Sequence, residues 1–151
     1  MKFVLSAAML LASFGAFGAD LAMQRSGPVS WVCAGVGADE RRALEAMKPQ
    51  ARLEVLFVTA KRGGYLSDAD LAVSGPHGEP LLHVTADGPI CLLDAPGGDY
   101  ALVATYGGVT RTARAVVAKD GPARRVVFAF PEEPWDGIRA SPEEKAQAAR
   151  P

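Results

Sequence analysis

Two cysteines, Cys33 and Cys91, carry the most distinctive chemistry in this sequence of 151 residues. Their spacing matches neither a CxxC redox pair nor a zinc-ligand pattern. In an exported protein an even number of cysteines favours a disulfide. A bridge closing a loop of this length stabilises a fold by about 4 kcal/mol. One alternative is that the two cysteines are separate buried thiols. Another is that one of them is a reactive catalytic thiol, which a chemical count of free thiols would detect.

The other side chains that could bind a metal or catalyse a reaction are scattered along the chain. His77 lies at a glycine-rich turn and His83 in a strand, and no acidic residue completes a His-x-x-Glu pattern with either. Five aspartates lie beside glycine, proline or the start of a strand, where an aspartate side chain commonly hydrogen-bonds to the backbone of a turn. This role explains their positions without a calcium site. They are Asp68, Asp70, Asp87, Asp94 and Asp99. We therefore expect no catalytic residue, no metal site and no cofactor.

Pro96, Gly97, Gly98 and Tyr100 are predicted to have structural roles. Proline fixes φ and glycine supplies positive φ, so the first three residues form a turn. A tyrosine at the start of the next strand can pack its ring in the core and bond its hydroxyl to a loop, as in a tyrosine corner. The alternative is an exposed ligand platform formed by Trp31, Tyr65, Tyr100, Tyr106 and Trp135.

Residues 88–108 are predicted to form a β-hairpin around which the other elements are arranged. The apolar run 90–93 precedes the turn, and apolar residues alternate over 100–106. Because a single hairpin is not stable alone, the rest of the chain must supply a sheet.

From Arg52 onward the pattern is one of about seven short strands separated by turns every 8–12 residues or so. It predicts an all-β fold, a Greek-key β-sandwich, with a closed barrel as the alternative. The predicted strands cover 53–58, the segment around Leu71 and Val73, 81–86, 90–93, 100–106, 109–118 and 124–130. We expect these residues to be largely buried: Leu53, Val55, Phe57, Leu71, Val73, Leu92, Tyr100, Leu102, Val126 and Phe128.

One short helix is predicted over 38–48, before these strands. Asp39 and Glu40 fall where the helix dipole favours acids, and Leu44 and Met47 give a narrow apolar stripe. Pro49 ends it. The preceding segment 30–36 is predicted to be a short strand that carries Cys33 to the sheet.

The first residues have the pattern of a secretory signal peptide. Lys2 precedes an apolar stretch over 3–14, and Ala16 and Gly18 provide small residues before a cleavage point. An uncleaved anchor is the alternative. The predicted parts of the chain are a signal peptide at 1–18, an extended lead-in at 19–29, the sandwich at 30–130 and a flexible tail at 131–151. The predicted location is the periplasm.

Net charge excludes some partner classes. The formal charge is −1, and no basic stripe indicates nucleic-acid binding. No second hydrophobic span follows the signal peptide, so we expect no membrane span after its removal. The expected partner is a protein or an envelope ligand whose identity, like the oligomeric state, the sequence leaves open.

Three stretches resemble the carboxypeptidase regulatory-like family of transthyretin-like (prealbumin-like) β-sandwiches: GGYLSDADLAVSGPHGEPLL at 63–82, ADGPICLLDAPGGDYALVATYGG at 86–108 and AGVGADERRAL at 34–44. The resemblance covers roughly residues 30–130. The cysteine in GPICLL makes this sequence similar to a version of the domain found in small exported proteins of Gram-negative bacteria. It differs at Gly98-Asp99 before Tyr100, where the family more usually has a glycine and then one basic or polar residue.

The resemblance implies an accessory domain without zinc or catalytic residues. Related hydrolases of purine breakdown carry a C-terminal Tyr-Arg-Gly-Ser, whereas this sequence ends in AQAARP. We therefore expect a non-catalytic periplasmic binding or interaction module. The alternatives are a small cell-envelope enzyme using a Tyr/Asp cluster and a structural envelope protein.

The signal peptide is tested by sequencing the N-terminus of the exported protein. We expect the mature chain to start at Ala19, because Ala16 and Gly18 occupy the small-residue positions of the cleavage site. Exported protein that still begins at Met1 would show that the segment is not removed.

Overall fold

The structure is a computed structural model that describes residues 20–132. The predicted signal peptide, Ala19 and most of the predicted tail, including Trp135, lie outside the described residues. The strands are β1 (Gln24–Ser26), β2 (Val29–Ala34), β3 (Leu53–Thr59), β4 (Asp70–Ser74), β5 (Pro80–Thr85), β6 (Ile90–Asp94), β7 (Gly98–Tyr106), β8 (Val109–Val117) and β9 (Arg124–Phe130). The helix α1 covers Ala38–Met47 and continues into a 3-10 turn, Lys48–Gln50.

The strands form two sheets, which confirms the all-β sandwich. A five-stranded sheet has the order β1-β2-β6-β3-β9, and a four-stranded sheet has the order β5-β4-β7-β8. Only β3 and β9 pair in parallel among the described strands. Strands distant in sequence lie side by side in both sheets, as a Greek-key connection requires. The seven strands predicted from Arg52 onward are β3 to β9, and β2 matches the predicted short strand.

The lead-in contributes one strand that was not predicted. β1 pairs with β2 in an antiparallel hairpin, with Ser26 opposite Val29. Ser26 also donates a hydrogen bond from its hydroxyl to the carbonyl oxygen of Leu81 in the other sheet, at 2.7 Å. A three-residue strand carries too weak a hydrophobic pattern to be recognised from sequence alone.

The predicted hairpin over 88–108 is wrong. β6 lies in the five-stranded sheet between β2 and β3, whereas β7 lies in the four-stranded sheet between β4 and β8. The turn between them is therefore a crossover from one sheet to the other. The physical reason is that 90–93 is apolar on both faces, which favours a central strand covered on both sides.

The core lies between the sheets, and all ten residues predicted to be buried are at most 9% exposed. Nine of them belong to the core between the sheets. Leu92 instead lies in a second cluster on the opposite face of the five-stranded sheet. There it packs with Val32, Ile90 and Leu44 of α1. Leu44 is 1% exposed, so the predicted apolar stripe of α1 is the face that covers this sheet.

Gly88 allows the connection before β6 to run against the end of β2. A Cβ atom at this position would lie 2.3 Å from the carbonyl carbon of Ala34. Carbon atoms make favourable contact at about 3.5–4.0 Å, so any side chain here forces the backbone apart. This close approach brings the start of β6 beside the end of β2.

Cys33 and Cys91 form a disulfide, which confirms the predicted bridge. The two residues are directly opposite each other on β2 and β6, and their Cα atoms are 4.1 Å apart. Both are buried, at 7% and 0% exposed. The bridge closes a sequence separation of 58 residues and joins the N-terminal hairpin covalently to the centre of the five-stranded sheet.

Removing the bridge should lower the free energy of unfolding. We expect Cys91→Ser to cost about 4 kcal/mol, because the bridge restricts the unfolded chain. Denaturant unfolding measures the loss, and the matched double variant Cys33→Ser/Cys91→Ser should lose a similar amount. A count of two free thiols in denatured, non-reduced protein would contradict the bridge.

Candidate functional site

The candidate site is a cleft at the end of the sandwich where β2, β3 and β9 begin and β6 and β8 end. We call it the loop-end cleft. Its polar lining is Arg25, Ser30, Arg52, Asp94 and Lys119, and the rest consists of Pro28, Ala118 and the β6–β7 connection over 95–97. The cleft is open to solvent and has a volume of about 360 Å³. This volume falls within the usual range for small-molecule sites.

Strand register places four of the polar residues in one row. Arg25 on β1 is opposite Ser30 on β2, and Ser30 is opposite Asp94 on β6. Arg52 comes directly before Leu53, which is opposite Leu93, so Arg52 is next to Asp94 in the same row. Neighbouring strands are about 4.8 Å apart, so side chains along such a row can contact one ligand together.

Arg52 is held in place by backbone carbonyl groups. Its guanidinium donates hydrogen bonds to the carbonyl oxygens of Lys119 at 2.7 Å and Gly121 at 3.1 Å. Its own amide donates to Leu93, and its carbonyl accepts from the amide of Arg124, both at 2.8 Å. Arg52 therefore connects the β8–β9 turn to β6, and three of its five side-chain N–H donors have no hydrogen-bond partner among residues 20–132.

The cations of the cleft lack carboxylate partners in the described part of the chain. Within residues 20–132, no Asp or Glu oxygen lies within 4.0 Å of the charged nitrogens of Arg25, Arg52 or Lys119. Asp94, which is exposed, also has no cation within that distance there. The lining thus carries three positive charges and one negative charge.

The β6–β7 connection, which forms one wall, is held by Tyr100. The Tyr100 side chain is in the core, and its hydroxyl donates a 2.6 Å hydrogen bond to the carbonyl oxygen of Pro96. Gly98 has φ +155°, and a Cβ there would lie 2.9 Å from Cγ of Pro76. Gly97 has only ordinary contacts at its Cβ position. Burial raises the pKa of the Tyr100 hydroxyl, and the Glu79 carboxylate raises it further.

The histidines and most of the aspartates singled out in the sequence lie away from the cleft lining. His77 is exposed in the β4–β5 turn and His83 is exposed on β5. Asp70 accepts a 2.7 Å hydrogen bond from the Thr85 hydroxyl on the neighbouring strand. Of the five aspartates, only Asp94 lines the cleft.

The aromatic side chains are not gathered into one platform in the described residues. Tyr100 is buried, Trp31 packs against the core, and Tyr106 packs against Phe130 with ring centroids 5.7 Å apart. Tyr65 is 56% exposed beside Val58, to which it is paired by an isolated bridge. The fifth member, Trp135, lies outside the described residues.

Sequence reasoning missed the cations of the cleft, because Arg25, Arg52 and Lys119 come from three distant segments and no motif joins them. It also missed Glu54, an acid inside an apolar strand and only 8% exposed. Its carboxylate is 3.2 Å from the guanidinium of Arg125 and 3.5 Å from Nζ of Lys48. This cluster lies outside the cleft lining and joins the end of α1 to β9.

Metal-ligand clusters and membrane-spanning helices are both absent from the described part of the chain. Residues 20–132 contain no group of three or more His, Cys, Asp or Glu side chains placed to hold a metal ion. No helix there is both long and apolar enough to cross a membrane.

Comparisons with known proteins give no relative for this chain. No protein-family model, no curated protein and no solved structure matches it significantly.

Tyr100→Phe tests the hydrogen bond behind the cleft. The variant keeps the buried ring, and we expect it to lose about 1 kcal/mol of unfolding free energy at pH 7. Because the folded-state pKa of Tyr100 is raised, its protonated form adds stability that is present below pH ~10 and lost as the pH rises further. Denaturant unfolding at pH 7 and again above pH ~10 measures this loss of stability.

The matched control for that experiment is Tyr106→Phe, which removes a hydroxyl from the same strand. The Tyr100→Phe protein should lose less stability above pH ~10 than the wild type or the control. Identical pH dependence in all three proteins would contradict the role assigned to the Tyr100 hydroxyl.

Proposed function

We propose that this protein is a non-catalytic binding module of the periplasm, built as a carboxypeptidase regulatory-like sandwich, and that it binds its ligand in the loop-end cleft. The family assignment is supported by the resemblance over 34–44, 63–82 and 86–108 together with the two-sheet architecture. The periplasmic location is supported by the signal-peptide pattern at 1–18 and by the buried disulfide, which persists in an oxidising compartment.

The observation that carries the proposal is the way in which the cleft is built. Its lining comes from four separate parts of the chain, and each is attached to the sandwich. Arg25 and Ser30 lie in paired strands, Asp94 ends the disulfide-linked β6, and Arg52 bonds to the β8–β9 turn. A cleft with such attached walls keeps its shape before a ligand arrives, and this lowers the ordering cost of binding.

The chemistry of the lining distinguishes this site from two other grooves of the structure. The grooves on the four-stranded sheet, near Ser74 and near Val103, are lined chiefly by apolar and hydroxyl residues, with His83 in the first and Arg114 in the second. The loop-end cleft instead combines charges of both signs with hydroxyl and backbone groups. Binding sites characteristically have such a small number of placed polar groups.

Site-specific photo-crosslinking in the cell tests the proposal. A photoreactive amino acid is introduced at Pro28 or Ala118, two exposed lining positions, in the full chain with its signal peptide. We expect intact-mass spectrometry of periplasmic protein to show one recurrent adduct from both positions, because both face the same bound ligand.

The matched control is the same amino acid at Thr112, an exposed position on β8 outside the cleft lining. It should give no such adduct. Absence of an adduct from Pro28 and Ala118, or the same adduct from Thr112, would overturn the cleft as the binding site.

A further inference from the structure

We infer that the loop-end cleft binds a small ligand through an oxyanion, a carboxylate or phosphate group, held between Arg25, Arg52 and Lys119. The inference rests on the proposed function and adds the chemical class of the ligand. It follows from the charges of the lining, from how Arg52 is held and from the size of the cleft.

The charges of the lining favour an anion. Three cationic side chains and one aspartate give the cleft a net charge of +2 from its own residues. In the described residues none of the three cations is within 4.0 Å of a carboxylate. A concave surface with an excess of one sign concentrates its field and attracts ligands of the opposite sign.

Arg52 gives the anion a fixed partner. Two of its N–H groups bond to the carbonyl oxygens of Lys119 and Gly121, so the guanidinium is oriented by neutral groups. A carboxylate bonded to Arg52 would neutralise the positive charge of the guanidinium, whereas the uncharged carbonyl groups leave that charge available to a ligand. The remaining N–H donors of a guanidinium match the paired oxygens of carboxylate and phosphate.

The row of opposed residues suggests where the rest of the ligand lies. Asp94 separates Arg52 from Ser30, and Arg25 follows on β1. An anion held by the guanidinium groups of Arg25 and Arg52 and by Lys119 therefore has the Asp94 carboxylate and the Ser30 hydroxyl beside it, and these can accept a hydrogen bond from an amine or hydroxyl of the same ligand. The volume of about 360 Å³ limits the bound part to small-molecule size.

The inference is tested by titrating the purified mature protein with citrate and, separately, with inorganic pyrophosphate. Amide chemical shifts report where each probe binds. We expect at least one probe to shift the amides of Asp94, Ala95, Gly97 and 118–121 with a Kd of about 1 mM or tighter. The probe that binds more tightly identifies the preferred group as carboxylate or phosphate. Raising NaCl from about 50 to 500 mM should weaken binding, because salt screens exposed charges.

Charge variants provide the specificity control. Arg25→Gln and Lys119→Gln should each weaken binding about three- to fivefold, and the double variant more than either. Arg114→Gln removes an equal charge from an exposed position on β8 outside the cleft lining and should leave the Kd unchanged. Arg52 is left intact in all variants because it also holds the β8–β9 turn.

Two results would overturn the inference. One is that neither probe shifts the cleft amides at about 10 mM, well above the expected Kd. The other is that Arg114→Gln weakens binding as much as Arg25→Gln, which means that binding follows net charge alone. If a cellular adduct still forms from Pro28 and Ala118, the binding-module proposal stands and only the ligand class is wrong.

Discussion

The structure depends on β6, a strand that is buried on both of its faces. Cys91 and Leu93 face the core between the sheets, whereas Ile90 and Leu92 pack in the cluster that α1 covers. The disulfide joins the strand to β2, and backbone pairing joins it to β3. One strand thus positions the helix, the N-terminal hairpin and the rest of the five-stranded sheet. Because protein interiors are densely packed, β6 cannot shift without disturbing all three.

The loop-end cleft is a consequence of how the chain leaves β6. Asp94 ends the strand in one sheet, and four residues later β7 begins in the other sheet. The chain between them must span the end of the sandwich, where the Tyr100 hydroxyl bonds to it. The β8–β9 turn crosses between the same two sheets and is bonded by Arg52. Two crossovers therefore meet at one end of the sandwich, where the Cβ position of Gly97 is 3.5 Å from Cα of Lys119, and both line one cleft.

The charged cluster around Glu54 and the cations of the cleft differ in their physical setting. Glu54 is 8% exposed, so its carboxylate depends on Arg125 and Lys48 to offset the loss of hydration. The cations of the cleft are in contact with solvent and need no protein partner to remain charged. The cluster around Glu54 stabilises the packing of α1 and β9 against β3, whereas the cations of the cleft leave charge available for a ligand.

Local patterns in the sequence were enough to predict the strands β2 to β9, the helix and the ten buried residues, because apolar alternation and turn residues act over short segments. The pairing of Cys33 with Cys91 could be predicted because the sequence contains only these two cysteines. Which strands share a sheet was decided only by the tertiary structure. The local sequence of β6 and β7 has the pattern of a hairpin. The two strands nevertheless lie in different sheets, because β6 is buried on both faces at the centre of the five-stranded sheet. The cleft has the same origin: Arg25, Arg52 and Lys119 are brought to one end by long-range pairing, which short segments do not encode.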